Sequence, residues 1–256
     1  MNFAKLLFFW SLICLFALLS STSVVSQSLS AKEIVSKADD KARGQSSYAE
    51  MTMTIERPGW TRSVSLKSWS KGHLYALVYI SAPAREKGQV FLKRDKDMWN
   101  WVPSIERLIK IPPSMMMQSW MGSDFTNDDL VKESSIVKDY DHKIMGQEQI
   151  RGKQCYKIEL TPLPDAAVTW GKIIFWITVD GFVQWEIEYY DEDLELVNRL
   201  RAFDIKKMDD RFLPGRMEME PVNKPGQKTI LETHTMVFNQ DIDDHFFSQQ
   251  NMKVVK

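Results

Sequence analysis

The chain has 256 residues, 44% hydrophobic and 26% charged, with 33 Lys and Arg against 34 Asp and Glu for a formal charge of −1. That length can bury the core of one large all-β domain or two small ones. The interspersed charges leave no basic face, which excludes nucleic acid as a partner.

Met1 to Lys5 carries one positive charge, Leu6 to Leu19 is almost unbroken apolar sequence, and Ser20 to Gln27 is small and polar. This is the layout of a secretory signal peptide. Val24 and Ser26 suit the −3 and −1 positions of a cleavage site, so residues 1–26 are expected to leave and residues 27–256 to form a single exported domain. Lipidation of Cys14 is rejected because Ile13 stands where a small residue is needed. Cys155 is then the only cysteine, so no internal disulfide can form.

Ser30-Ala31-Lys32-Glu33 reads as a capping box, and Ile34, Val35 and Ala38 form an apolar helical stripe that Gly44 closes. From Tyr48 the period changes to two, with Ala49, Met51, Met53 and Ile55 on one face. Pro58-Gly59 turns the chain, Val64, Leu66 and Ser68 continue the pattern, and Lys71-Gly72 turns it again into further short strands at 74–80, 90–93, 98–102 and 107–111.

Pro112-Pro113 opens an interruption, Pro112 to Phe125, that packs Met115, Met116, Met117, Trp120, Met121 and Phe125 into one window. Methionine accommodates exchangeable apolar partners, so the segment is either a mobile lid over a greasy cavity or an ordinary buried turn. Pro112-Pro113 and Gly122 would bracket the lid with a rigid break and a permissive joint. Thr126-Asn127-Asp128-Asp129 follows as a second capping box, which accounts for its acidic residues more simply than calcium does.

Strands resume at 142–150 and 154–161, then at 173–179 and 182–190 around Asp180-Gly181, a strong hairpin signal. Val183, Trp185, Ile187 and Tyr189 alternate with Gln184, Glu186 and Glu188. Runs at 194–205, 212–219 and 229–238 complete the set. Ten to thirteen antiparallel strands favour a mainly β fold with few helices, an incomplete antiparallel barrel of about eleven strands around an apolar cavity. Trp99 and Trp101 share a strand face. They are core in a sandwich and mouth-lining in such a barrel.

No phosphate loop, nucleophile elbow or zinc-protease pair is present, and no cofactor or metal is expected. His73, His142, His234 and His245 are scattered and read as strand-surface or tail residues. Cys155 reads as a small buried hydrophobe.

Trp99-Asn100-Trp101-Val102-Pro103, Arg107-Leu108-Ile109-Lys110-Ile111 and Trp120-Met121-Gly122-Ser123-Asp124-Phe125-Thr126-Asn127-Asp128-Asp129-Leu130 together resemble the outer-membrane lipoprotein-sorting protein family. This is a bacterial periplasmic group related to the Lol lipoprotein carrier. The tail Phe247-Ser248-Gln249-Gln250-Asn251-Met252 fits the same resemblance, which covers about Ser30 to Val255. It implies a half-open barrel whose helices cap a cavity for acyl chains, with Met115 to Met121 and Phe125 as cap and Trp99 and Trp101 as wall. It also implies a periplasmic, non-enzymatic monomer that makes transient membrane-protein contacts. The cargo would be the acyl chains of lipoproteins, other lipids or another hydrophobic molecule, moved between the two membranes, with an inner-membrane exporter as a further partner. The alternative is an envelope regulator or adaptor that senses lipid through the same fold.

Overall fold

The computed structural model describes residues 29–256 apart from 133, 134, 165 and 167. The segment expected to be a signal peptide, residues 1–26, and the expected cleavage site after Ser26 lie outside the described residues.

Helix α1, Ala31–Arg43, begins where its capping box places it. The Ser30 N–H donates to a Glu33 carboxylate oxygen at 2.8 Å, and the Glu33 N–H donates to Ser30 Oγ at 3.3 Å. Gly44 ends the helix at φ 67°, a left-handed conformation that costs glycine no Cβ clash. Ile34, Val35 and Ala38 are buried, as their spacing requires.

Six strands then form a meander: β1 Ser46–Arg57, β2 Trp60–Lys71, β3 Tyr75–Ala82, β4 Val90–Arg94, β5 Asp97–Val102 and β6 Arg107–Ile111. Residues 112–139 contain a short helix, α2, Asn127–Lys132. Seven more strands follow: β7 Tyr140–Ile150, β8 Lys153–Pro162, β9 Lys172–Thr178, β10 Gln184–Tyr190, β11 Leu196–Met208, β12 Arg211–Pro221 and β13 Lys228–Phe238. All thirteen belong to one antiparallel sheet in the order β6-β5-β4-β3-β2-β1-β13-β12-β11-β10-β9-β8-β7. The two meanders are joined by the pairing of β1 with β13, for example Met53 opposite Leu231.

The sheet has thirteen strands, not about eleven, and it is not closed. Its edges are β6 and β7, and residues 112–139 connect one to the other. Every strand-like run of the sequence is used, including the short β4, β5 and β6. Tight turns through Asp95 and Glu106, both at positive φ, let these short runs pair with immediate neighbours. No described helix is long and apolar enough to cross a membrane.

Each face of the sheet is covered in part, while most of β7 is exposed. On the inner face α1 packs over the second meander, where Ile34 and Val35 meet Ile158, Phe175, Ile187 and Leu200. Met116 and Trp120 pack over the first meander with Met53, Leu66, Val78, Phe91 and Met98. On the outer face, β3 and β4 present Leu77, Tyr79, Val90 and Leu92 to the C-terminal tail, where Phe247 is fully buried. A second outer cluster gathers Cys155, Trp176, Trp185 and Ala202. Cys155 is buried there as a small hydrophobe, and burial pushes its thiol up to about 11.

The alternation expected along β10 is broken. A bulge between Gln184 and Glu186 slips the register, so Trp185 joins the outer cluster while Ile187 stays inside. The Arg151 guanidinium lies 4.4 Å from the Trp185 ring centre and covers it from solvent. The hairpin before it also departs from the simple Asp180-Gly181 turn. Gly181 and Phe182 both take positive φ, and Phe182 turns inward toward α1, where Lys37 lies 5.6 Å from its ring centre.

Candidate ligand cavity

Residues of both meanders, of α1 and of the 112–126 segment together line a cavity of about 370 Å³. That lies within the roughly 300–1,000 Å³ typical of small-molecule sites. Period-two alternation supplies its walls. Met51, Met53, Leu66, Val78, Phe91 and Met98 face it from the first meander, and Ile173, Phe175, Ile187, Leu200 and Met217 from the second. Helix α1 contributes Ala38 and Ala42, small side chains that leave the space open.

Of the eight residues singled out in the sequence, the structure brings two to this cavity: Trp120 and Phe125. Trp120 is buried and meets Phe91 edge-on, ring centres 5.4 Å apart. Met116 is buried behind it in the first meander's core, and Met121 packs against the same cluster. Met115 and Met117 point outward, 38% and 55% exposed, because a 3-10 turn over Pro113–Met115 directs only Met116 at the sheet.

Trp99 and Trp101 are not cavity wall. Their neighbour Met98 faces inward, so residues 99 and 101 must face the other way. They pack against the C-terminal tail, and the Lys253 ammonium lies 5.4 Å from the Trp101 ring centre.

At its far end the 112–126 segment is bonded to Arg57, Arg62 and Thr229 of the sheet. Asp124 accepts from both terminal nitrogens of Arg57, at 3.0 and 2.9 Å, and from Thr229 Oγ1 at 2.7 Å. Arg57 also donates to the Gly122 carbonyl at 3.1 Å, and Arg62 donates to the carbonyl of Met121. Gly122 does adopt φ 75°, as a joint would, but both flanking carbonyls are tied to the β1–β2 hairpin. Within the loop, Trp120 N–H donates to Phe125 O at 2.8 Å and Asn127 Nδ2 to Met115 O at 2.9 Å.

The second capping box forms as its residues require. Thr126 N–H donates to Asp129 Oδ2 at 2.7 Å, and Asp129 N–H donates to Thr126 Oγ1 at 3.1 Å. Asp128 and Asp129 also line the cavity. Burial raises the Asp129 carboxyl to about 6, against the lowering effect of its bonds to Thr126. No group of three or more candidate metal ligands occurs among the described residues.

The histidines separate in the fold. His142 Nε2 sits 2.8 Å from the Ile136 carbonyl, His234 Nε2 lies 2.8 Å from Thr52 Oγ1, and His245 is exposed in the tail. His73 is the exception to the surface reading: it lines the cavity beside Arg43 and Lys93. The sequence did not single out Arg43 or Lys93, and it offered His73 only as a surface residue. The available signal was Lys93 following Phe91 on the inward face of the short strand β4.

Comparison with known proteins places this geometry in a wider group. A family model described as "-like: Uncharacterized protein" matches residues 72–254, more than half of the chain. No curated protein matches the sequence. Among solved structures, a DUF1329 family protein from Desulfovibrio piger is 25% identical, with a TM-score of 0.80 over 87% of this chain and 97% of its own. A LolA superfamily protein from Nitrosomonas europaea is 24% identical, with a TM-score of 0.75 over 88% of this chain and 100% of its own. A putative outer membrane lipoprotein-sorting protein domain from Vibrio parahaemolyticus is 20% identical, with a TM-score of 0.78 over 87% and 98%. The last two likenesses are of fold, and they bear out the resemblance drawn from the Trp99–Pro103 and Trp120–Leu130 motifs.

Proposed function

We propose, from the premise that the chain belongs to the family whose model spans residues 72–254, that it is a carrier that shields acyl chains of lipoproteins or other lipids from water. The observation that carries this reading is the cavity, apolar along both meanders and roofed by α1, Trp120 and Phe125. Each methylene moved into such a space contributes about 0.8 kcal/mol, so a long acyl chain binds without any polar recognition along its length. The fold shared with a LolA superfamily protein and a lipoprotein-sorting domain supports the same reading. On this reading the protein works in the periplasm between the two membranes, alongside an inner-membrane exporter, and carries out no chemistry on its cargo.

Two measurements test it. Lipid extracted from natively purified protein and identified by mass spectrometry is expected in near-stoichiometric amount. After delipidation, a fluorescent fatty-acyl probe is expected to bind at one site and to compete with the extracted lipid. Protein that purifies free of lipid and takes up no probe would overturn the carrier reading.

A further inference from the structure

In an antiparallel meander every second turn falls at the same end. The β1–β2, β3–β4 and β5–β6 turns therefore stand side by side, and the pairing of Glu56 with Lys228 brings the β12–β13 turn to that end as well. These turns are in contact. Arg62, near the start of β2, donates to Glu86 of the β3–β4 turn at 3.0 Å. A Cβ on Gly88 of that turn would meet Pro103 of the β5–β6 turn at 3.3 Å, and one on Gly226 of the β12–β13 turn would meet Pro58 at 4.0 Å.

Two large apolar side chains project from these turns: Trp60 is 51% exposed and Ile105 56%. Neither belongs to a core cluster among the described residues. Around them Arg85, Lys87, Arg107 and Lys224 are exposed. The acids of the same turns are Glu86, which is already bonded to Arg62, and the exposed Glu106. The balance of the surface is therefore positive. Its limit is the acidic β10–β11 turn, Asp191 to Glu195, on the far side of the β12–β13 turn, where the Val222 N–H donates to Val197 O at 2.9 Å.

An indole on a turn tip gains nothing from the core, but it suits a lipid–water interface, where its apolar body and its N–H are both accommodated. Each basic residue close to an anionic membrane surface is worth roughly fivefold in partitioning. A stable protein partner needs about 1,000 Å² of complementary surface. Separate apolar tips with cations between them match the head-group layer of a bilayer instead, where burial of apolar side chains and attraction to anionic lipid add together.

We propose that these turns form a docking surface for an anionic lipid bilayer, with Trp60 and Ile105 entering the head-group layer and Arg85, Lys87, Arg107 and Lys224 meeting lipid phosphates. The surface adjoins the cavity roof, because Arg57 and Arg62 of the same hairpin hold the Gly122 and Met121 carbonyls beside Trp120. It goes beyond the carrier reading, since docking requires no cargo in the cavity.

Co-sedimentation of natively purified protein with vesicles tests it, using phosphatidylcholine alone and an equimolar mixture of phosphatidylcholine and phosphatidylglycerol. The mixed vesicles are expected to bind roughly tenfold or more tighter, with the advantage falling as salt is raised. Arg85→Gln combined with Lys87→Gln is expected to remove most of that advantage and leave binding to phosphatidylcholine unchanged. Trp60→Ser is expected to weaken binding to both vesicles, and Ile105→Ser on a different turn does the same should Trp60→Ser fold poorly. Every variant shares the parent's N-terminus, so a retained leader cannot produce these differences. Equal binding to the two vesicles, variants that bind like the parent, or binding to neither vesicle overturns the docking surface. Uptake of the fluorescent acyl probe is read separately: protein that docks but takes up no probe loses the carrier reading and keeps the surface, and protein that takes up probe but docks on neither vesicle does the reverse.

Discussion

Asp124→Ala tests whether the 112–126 segment is clamped by charge or simply rests on the sheet. The Asp124 side chain is 6% exposed and that of Arg57 12%, and two Arg57 nitrogens reach the carboxylate at 3.0 and 2.9 Å. Removing one member of such a buried, hydrogen-bonded pair costs about 3–5 kcal/mol, because the other charge is stranded. Arg57 would still donate to the carbonyls of Glu56 at 2.8 Å, Gly122 at 3.1 Å and Lys228 at 3.2 Å. Those remaining bonds place the loss near the lower limit, about 3 kcal/mol. For a chain of this size that corresponds to a melting temperature lowered by about 6–12 °C. Urea unfolding followed by tryptophan fluorescence measures it directly. A double-mutant cycle with Arg57→Ala should show the pair costing at least ~1 kcal/mol less than the sum of the single changes. Strict additivity, or an Asp124→Ala variant within ~0.5 kcal/mol of the parent, would mean that apolar packing of Trp120 and Met116 alone holds the segment.

Three further outcomes are expected. Asp129 has its folded pKa raised to about 6 from an ordinary 3.8, so its protonated form is the one the fold favours. The stability it contributes is fully present below about pH 4 and is lost as pH rises through about 6. Asp129→Asn, which keeps an oxygen for the Thr126 N–H, should therefore gain on the parent by on the order of 2–3 kcal/mol between those limits. Thermal melts across that range check this, and a difference that does not vary with pH would refute it. Phe247→Ala should cost about 3–5 kcal/mol in chemical unfolding, since this fully buried ring stacks 5.4 Å from Tyr75 and seals the outer face. A negligible loss would show that the tail is not part of the core. Cys155, with its thiol pushed up to about 11, should resist alkylation in native protein near neutral pH and react on unfolding. Rapid native labelling would place it at an accessible surface.

The local structure of this protein is legible in its residues because it depends on neighbours in the chain. Both capping boxes, at Ser30–Glu33 and Thr126–Asp129, form their reciprocal bonds, and all thirteen strand-like runs pair as strands. What escaped the sequence is which face each strand turns inward and what covers it. Period two says that Trp99 and Trp101 share a face, but not that the face meets the C-terminal tail. That depends on Met98, whose inward direction is fixed only by pairing with Ile111 and Lys93 on neighbouring strands. The β10 bulge had the same effect, moving Trp185 to the opposite side from Ile187 without any break in the pattern.

The Met-rich segment shows where composition stops being informative. Its side chains suit both a moving lid and a fixed wall, and the bonds from Arg57, Arg62 and Thr229 come from residues far away in the chain. Likewise, Arg43, His73 and Lys93 are three unremarkable surface-type residues until β2, β3 and β4 pair and α1 lies across them. Hydrogen-bonding patterns and hydrophobic period are properties of short stretches, and the sequence alone determined those. Convergence on one cavity is decided only when the sheet assembles, because burial and electrostatic field are sums over residues that the chain keeps apart.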